Sequence, residues 1–176
     1  MQRFRKLRAR SNESLAGGGL GRHVFLASDR VAHREQRVRG FLASDPSVAL
    51  VLGAVNFEWT ICRAILFLSH TANAALREKM RDYYSLDKYK LLWNEEVVPS
   101  SGAPLLPEVV RNWSKVCQAF HARNLLVHGK DRYTRKMATP HVNELLKGVR
   151  FIDLYCENCG SPLYERMPVR KWKAAG

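Results

Sequence analysis

Apolar residues recur at three- and four-residue steps along most of the chain, the spacing of helices that bury one face. The longest such segment covers residues 46–76, with a break expected at 69–71, and the pair Asp45-Pro46 ahead of it is typical of a helix start. Residues 86–98 predict a further helix and residues 99–104 a loop. No alternation with a period of two is long enough to predict a substantial sheet. The pattern predicts an all-α fold, a bundle of four to six helices.

The chain ahead of the central segment begins with a basic, glycine-rich stretch. Residues 1–22 combine a cluster of arginines with the run Gly17–Gly19, and they predict a flexible basic arm. A helix is expected after this arm. Its apolar positions are predicted to line one side, and they are Val24, Phe25, Val31, Val38 and Phe41.

The second half of the chain predicts two more long helices and a small tail. A helix over residues 106–128 is expected to end at Gly129, with a basic loop over 130–139 after it. Thr139-Pro140 is expected to open the last long helix. A small hairpin is expected around Cys156–Gly160, within an irregular tail. The resulting division is a basic arm over residues 1–22, a helical domain over 23–155 and a cysteine-containing tail over 156–176.

The excess of positive charge predicts an anionic partner. Lys and Arg number 29 against 16 Asp and Glu, for a formal charge of +13, which favours nucleic acid. The apolar stretch over residues 48–68 contains Asn56, Glu58 and Arg63, so we interpret it as a buried helix and not as a membrane span. The four cysteines lack the pattern of a secreted disulfide framework, and no signal peptide is recognisable. The sequence therefore predicts a cytoplasmic protein with no membrane partner.

The most informative segment is the end of the helix predicted over residues 106–128. Arg123 supplies a permanently charged guanidinium and His128 a titratable imidazole, while Asn124 and His121 share the helix face of His128. At about 100° per residue, Arg123 and His128 lie roughly 140° apart around the helix axis. They can converge only through the length of the arginine at the helix end, or through a second copy of the helix.

One histidine and one arginine suit the cleavage of RNA without a metal. The ribose 2′-OH is the nucleophile, so the protein need supply only a proton-transfer group, here His128, and a clamp for the charged phosphate, here Arg123. Asn124 can orient the phosphate or the imidazole. The alternative is structural, with Arg123 in a surface ion pair and His128 as a helix cap. Phosphate contacts are predicted for the basic residues that follow, namely Lys130, Arg132, Arg135 and Lys136.

The run Arg123-Asn124-Leu125-Leu126-Val127-His128, at the end of a late helix and ahead of a basic segment, resembles the R-x4–6-H motif of the HEPN superfamily. The resemblance implies an all-α, metal-independent endoribonuclease that acts as a toxin or in antiviral defence. It also implies a homodimer whose composite site combines arginine and histidine from two protomers. A neutralising antitoxin or a larger defence complex is an implied partner, besides RNA.

Some members of that superfamily keep an acidic residue beside the motif, and Glu58 is the candidate here, with His121 as a second supporting residue. Glu58 is expected either to pair with Arg123 or, alternatively, to pair with Arg63 or face solvent. A Glu-x3-Lys pattern ahead of the arginine, present in some members, is absent from this sequence.

Two other classes of function stay open, a non-catalytic HEPN-like module that binds RNA or protein, and a small zinc-bearing regulator that binds nucleic acid. Cys156 and Cys159 form one Cys-x-x-Cys pair, which is half of a structural zinc site. No second pair exists, and Cys62 and Cys117 are predicted to be core residues. Zinc at Cys156 and Cys159 is expected to be structural, and catalysis is expected to require no cofactor.

Overall fold

The computed structural model describes residues 31–83 and 85–163. These residues contain helices and no strand, which confirms the predicted all-α class. The predicted arm over residues 1–22 lies outside the described residues, as does most of the predicted tail. The helices are α1 (Val31–Ser44), α2 (Pro46–Leu68), α3 (Asn73–Met80), α4 (Leu86–Glu96), α5 (Val98–Ser101), α6 (Leu106–Val109), α7 (Trp113–Val127) and α8 (Arg135–Asn158).

Helix α2 is the centre of the bundle and packs against α1, α4, α7 and α8. It begins as predicted, because the carboxylate of Asp45 accepts a 3.1 Å hydrogen bond from the backbone N–H of Val48 and Pro46 opens the first turn. It ends at Leu68, which confirms the predicted break. By length and composition α2 could cross a membrane, yet 61% of its apolar window is buried against the rest of the bundle.

Helix α1 lies against α2 and α8. Val38 is fully buried, as predicted, but Phe41 is 40% exposed, so the prediction for Phe41 is wrong. The buried stripe instead runs through Arg34, Val38 and Leu42, which are spaced four residues apart. Phe41 falls at the edge of this stripe because the spacing of four places Leu42, not Phe41, beneath Val38.

A carboxylate joins α1 to α8. Glu35 accepts hydrogen bonds from Arg150 Nε at 2.9 Å and from Arg39 Nε at 2.8 Å. Burial acts to raise the pKa of Glu35, but the hydrogen bonds and charges of Arg150 and Arg39 hold it below its usual value. This ion pair fixes how α1 sits on α8.

The helix predicted over residues 106–128 is interrupted. Residues 110–112 form a turn between α6 and α7, because the side chain of Val110 is fully buried and Asn112 is drawn toward α8. The amide of Asn112 donates hydrogen bonds to the backbone oxygen of Glu144 and to its carboxylate. Tertiary contacts at two positions thus override the helical pattern. The loop predicted over residues 99–104 is also shorter, because its first half belongs to α5.

Helix α8 is longer than predicted at both ends. It starts at Arg135, where the hydroxyl of Thr134 accepts a hydrogen bond from the Met137 N–H at 3.4 Å. Pro140 therefore lies inside the helix and does not open it, so the predicted loop over 130–139 is confined to its first half. A proline at this position removes one backbone hydrogen bond and crowds the carbonyl of Lys136, which is a cost to the helix.

The C-terminal end of α8 also overturns a prediction. Cys156 lies in the last turn of the helix, Cys159 caps it, and Gly160 adopts a φ of 67°. The N–H of Ser161 bonds to the oxygen of Cys156 and that of Gly160 to the oxygen of Glu157, the two bonds of a Schellman motif. The predicted hairpin around Cys156–Gly160 is therefore wrong, and the predicted boundary after residue 155 falls within a helix.

The core is densest where α2, α7 and α8 meet. The ring of Phe57 packs edge-on against Phe120, with centroids 5.9 Å apart, and lies over Gly148 of α8. A β carbon at Gly148 would lie 2.6 Å from Phe57 Cε2, so glycine is what allows this approach. These contacts bring the middle of α7 beside the middle of α2.

Candidate functional site

Helix α7 ends in a geometry that presents His128 to solvent. His128 is the capping residue, and Gly129 after it adopts a φ of 66°, as the sequence predicted for a glycine just past the helix. The N–H of Lys130 bonds to the oxygen of Leu125, and that of Gly129 to the oxygen of Leu126. These two bonds form a Schellman motif, so the position of the His128 backbone is well defined while its side chain is exposed.

Arg123 lies one turn earlier and is half-buried. Its Nη1 donates a 2.9 Å hydrogen bond to the side-chain oxygen of Asn124. Its Nε is buried and has no hydrogen-bond partner within the described part of the chain. The structure therefore brings Arg123 and Asn124 together, with Asn124 orienting the guanidinium and not the imidazole.

Glu58 on α2 feels the positive charge of Arg123. Burial raises the pKa of Glu58, and the positive charge of Arg123 lowers it by a smaller amount. The alternative partner Arg63 is engaged elsewhere, because it donates to the backbone oxygen of Leu163 and lies 5.2 Å from the ring centroid of Trp59. The charge of Arg123 acts on Glu58, but among the described residues the two side chains form no hydrogen bond or ion pair, so their pairing stays a prediction.

Cys62, which the sequence predicted to be a core residue, and Tyr89 lie close to Glu58. The hydroxyl of Tyr89 on α4 hydrogen-bonds the thiol of Cys62, which lies one turn after Glu58 on α2. Burial raises the pKa of the Cys62 thiol to about 11 and raises that of Tyr89 as well. The spacing of Glu58 and Cys62 by four residues was a signal for a shared face, whereas nothing in the sequence placed Tyr89 beside them.

Arg123 and His128 occupy different environments on α7. Arg123 is half-buried, with its Nε buried, and His128 is exposed at the helix end. This matches the angle of roughly 140° expected between them on a regular helix. Within one chain the two candidate catalytic groups do not form a convergent pair.

His121 is separated from Arg123 in the same way. It lines a shallow pocket on the opposite side of α7 together with Tyr133 and His141. The prediction that His121 shares a face with His128 agrees with this placement, but His121 does not support Arg123 directly.

The four predicted phosphate-binding residues are exposed. They cluster along the chain directly after His128, between the end of α7 and the first turn of α8. A helix N-terminus disfavours cations, so the basic first turn of α8 gains nothing in stability from its charge. The residues are Lys130, Arg132, Arg135 and Lys136.

Cys156 and Cys159 differ in their surroundings. The thiol of Cys156 is buried in the last turn of α8, and burial together with nearby negative charge raises its pKa. Cys159 is exposed, and a hydrogen bond links it to the hydroxyl of Tyr155, whose pKa rises to about 12, mainly through burial. The described residues contain no group of three or more candidate metal ligands. Zinc binding at this pair stays a prediction.

An apolar surface lies beside His128. A shallow groove of about 260 Å³ between the start of α2 and the end of α7 is lined by apolar side chains, and Val127 at its edge is 54% exposed. The lining residues are Ser47, Val48, Val51, Leu52, Leu126 and Val127.

No family model, curated protein or solved structure matches this chain.

Proposed function

We propose that this chain is a metal-independent endoribonuclease of the HEPN type. The observation that supports the proposal most is the arrangement at the end of α7. A half-buried guanidinium is held by Asn124 beside Glu58, and the same helix presents an exposed histidine at its cap. The structural alternative of a surface ion pair for Arg123 is less well supported, because its Nε is buried and Arg123 forms no ion pair with the described residues.

The proposed reaction uses the substrate's own nucleophile. The ribose 2′-OH attacks the adjacent phosphorus and the bond to the 5′-oxygen breaks, which leaves a 2′,3′-cyclic phosphate and a 5′-hydroxyl. His128 takes the proton from the 2′-OH or donates one to the leaving oxygen. Arg123 stabilises the negative charge that gathers on the phosphate oxygens. Asn124 orients Arg123 through the hydrogen bond described above.

The substrate is proposed to be RNA that enters along the basic segment after His128. Lys130, Arg132, Arg135 and Lys136 are all exposed and therefore accessible to phosphates. The resemblance to HEPN proteins adds a role as a toxin or in antiviral defence, in the cytoplasm and with a neutralising partner or a larger defence complex. That wider role is supported by the resemblance alone.

The active form is proposed to be a homodimer with composite sites. Arg123 and His128 lie roughly 140° apart around the axis of α7, so a second copy of the helix is the simplest way to bring one of each together. The apolar groove beside Val127 offers a surface for this contact, and a two-fold contact places each such surface against its own copy. The groove adjoins His128, so burying it would place this histidine at the interface.

A non-catalytic RNA-binding module is the second candidate. Arg123 hydrogen-bonds Asn124, and its charge acts on Glu58. These interactions favour the second candidate, because they engage the guanidinium within the chain instead of leaving it for a phosphate. The two candidates predict the same RNA affinity and differ in cleavage.

Incubation of the purified protein with total RNA in EDTA tests the proposal. We expect cleavage that leaves 2′,3′-cyclic phosphate ends and spares DNA. His128→Ala and Arg123→Ala should each lower the rate by roughly a hundredfold or more, with little loss of RNA binding. His70→Ala, an exposed histidine between α2 and α3, is the matched control and should cleave normally. Wild-type cleavage by His128→Ala, or a strict need for Mg²⁺, contradicts the mechanism.

A further inference from the structure

A second recess lies on the other side of α7 from Arg123. It is a shallow pocket of about 520 Å³ between α7 and the loop and helix that follow it. The mechanism above uses none of its side chains. The pocket is lined by Cys117, Gln118, His121 and Ala122 of α7, by Tyr133 of the loop and by His141 of α8.

The pocket lies on the same stripe of α7 as His128. Cys117, His121 and His128 project within about 60° of one another around the helix axis, and Arg123 does not. The rise from His121 to His128 is seven residues, or roughly 10 Å along the helix. A short oligonucleotide with a phosphate at His128 therefore reaches the pocket without crossing the helix.

Aromatic and neutral polar groups line the pocket. The ring of Tyr133 meets the imidazole of His141 edge-on, with centroids 6.0 Å apart and planes at 74°. Burial lowers the pKa of His141, so its imidazole is neutral near pH 7 and carries one hydrogen-bond donor and one acceptor. Gln118 adds an exposed amide with both kinds of group. Flat rings and paired donors and acceptors suit the face and edge of a nucleobase.

Charged residues lie around the rim of this pocket. The exposed cations Arg132 and Lys136 flank Tyr133 along the chain, whereas Asp131 hydrogen-bonds the Tyr133 side chain and the backbone N–H of Arg132. On the α4 side, the charges of Asp87 and Lys90 act on Cys117 in opposite directions. Phosphates are thus attracted to the rim, and an uncharged group is accommodated inside.

We propose that this pocket binds a base of single-stranded RNA that is held next to His128. The inference rests on the proposed function for the identity of the nucleic acid. Tyr133 provides a stacking surface, and Gln118 and His141 read the edge of the base. The pocket therefore gives the protein a base preference close to the point of cleavage.

The test uses short fluorescent 2′-O-methyl oligoribonucleotides of A, C, G or U, which lack the nucleophile and cannot be cleaved by the proposed mechanism. We expect the wild-type protein to prefer one base in anisotropy titrations. Gln118→Ala should remove this preference, and Tyr133→Ala should weaken binding by roughly tenfold, the effect of losing one stacked base. Tyr133→Phe keeps the ring and should bind normally, which separates stacking from a folding defect.

Two variants at a glutamine and a tyrosine outside the pocket serve as matched controls. Gln36→Ala removes an exposed helical glutamine on α1, and Tyr83→Ala removes a half-buried tyrosine whose ring lies 5.4 Å from Lys88 Nζ. Both should bind as the wild type does. As a direct readout, a saturating oligonucleotide should slow alkylation of Cys117, followed on its peptide by mass spectrometry.

The outcomes separate this inference from the proposed function. If Gln118→Ala and Tyr133→Ala bind all four oligonucleotides as the controls do, the base pocket is overturned, even if His128→Ala abolishes cleavage. If Gln118→Ala loses the preference while His128→Ala cleaves at the wild-type rate, the pocket stands and the proposed mechanism falls. Protection of Cys117 by an unrelated peptide but not by RNA points to a protein ligand and also overturns the inference.

Discussion

The positive charge of Arg123 on α7 acts on Glu58 of α2, and the burial of Glu58 outweighs this attraction. The pKa of Glu58 is raised because the loss of solvent exceeds the stabilisation that the guanidinium supplies. The ionised form of Glu58 therefore destabilises the folded state at neutral pH, although it is attracted to the arginine that the proposed mechanism requires.

Glu58→Gln is expected to change the pH dependence of stability. A carboxyl whose folded pKa exceeds its unfolded pKa gives stability that is fully present below the unfolded value and is lost as pH rises through the folded value. Glutamine carries no such loss, so the variant should gain stability relative to the wild type between about pH 4 and about pH 7. Urea denaturation across that range measures the difference. Asp153, whose pKa burial and Glu157 raise to about 6, contributes equally to both proteins and cancels.

That prediction fails if Glu58→Gln becomes less stable relative to the wild type as pH rises. Such a result would mean that the attraction to Arg123 outweighs burial.

Gly148→Ala is expected to destabilise the protein by about 1–3 kcal/mol, because the added methyl group overlaps the ring of Phe57 and must displace it. Gly40→Ala on α1 is the matched control. Nothing lies within 4 Å of a β carbon at Gly40, so this change should stabilise the helix by about 0.5–1 kcal/mol. Thermal and urea unfolding of the two variants should therefore shift in opposite directions. Equal shifts would contradict the close packing of α2 on α8.

Glu35→Gln tests the link between α1 and α8. The folded pKa of Glu35 lies below its unfolded value, so its stabilisation is present above the unfolded pKa and is lost as pH falls through the folded pKa. The variant should lose roughly 1.5–3 kcal/mol near pH 7, the usual worth of hydrogen bonds to a charged group. The loss should shrink as the pH falls toward 3. A loss that is constant with pH would indicate a packing effect and not a charge effect.

The outline of the fold could be predicted where local signals and packing agree. Asp45 with Pro46 marked the start of α2, and Gly129 marked the end of α7, because capping chemistry is local and strong. Predictions failed where tertiary contacts decided. The buried side chain of Val110 and the bonds of Asn112 to α8 interrupt a segment whose pattern alone is helical.

The candidate site could be predicted only in part for the same reason. The angle between Arg123 and His128 follows from helix geometry, but which of the two faces the core depends on where α2 packs. The recess between Gln118, Tyr133 and His141 depends on how α7 and α8 lie against each other, and no local pattern encodes that arrangement. Pro140 also led to a wrong start for α8, because proline favours the first turn of a helix, whereas here it lies inside the helix.

The dimer surface is tested by a charge placed on it. Val127→Asp should shift the protein from dimer to monomer in light scattering, because a carboxylate would be desolvated in the contact. Leu154→Asp on α8 is the matched control, since both side chains are 54% exposed in the single chain. The control should remain dimeric. A dimer that tolerates Val127→Asp would exclude the groove beside His128 as the interface.

Composite catalysis makes one prediction that a single-chain site cannot. Arg123→Ala and His128→Ala should each be nearly inactive alone, yet a mixture that is allowed to exchange subunits should regain part of the wild-type rate. In the mixed dimer one site takes both altered residues, and the other takes intact Arg123 from one chain and intact His128 from its partner. The gain should depend on subunit exchange, so Val127→Asp introduced into both variants should abolish it if the groove is the interface. Cleavage of a labelled RNA by the separate and mixed proteins measures the effect. A mixture no more active than its components, from variants shown to exchange, would place both residues of each site in one chain.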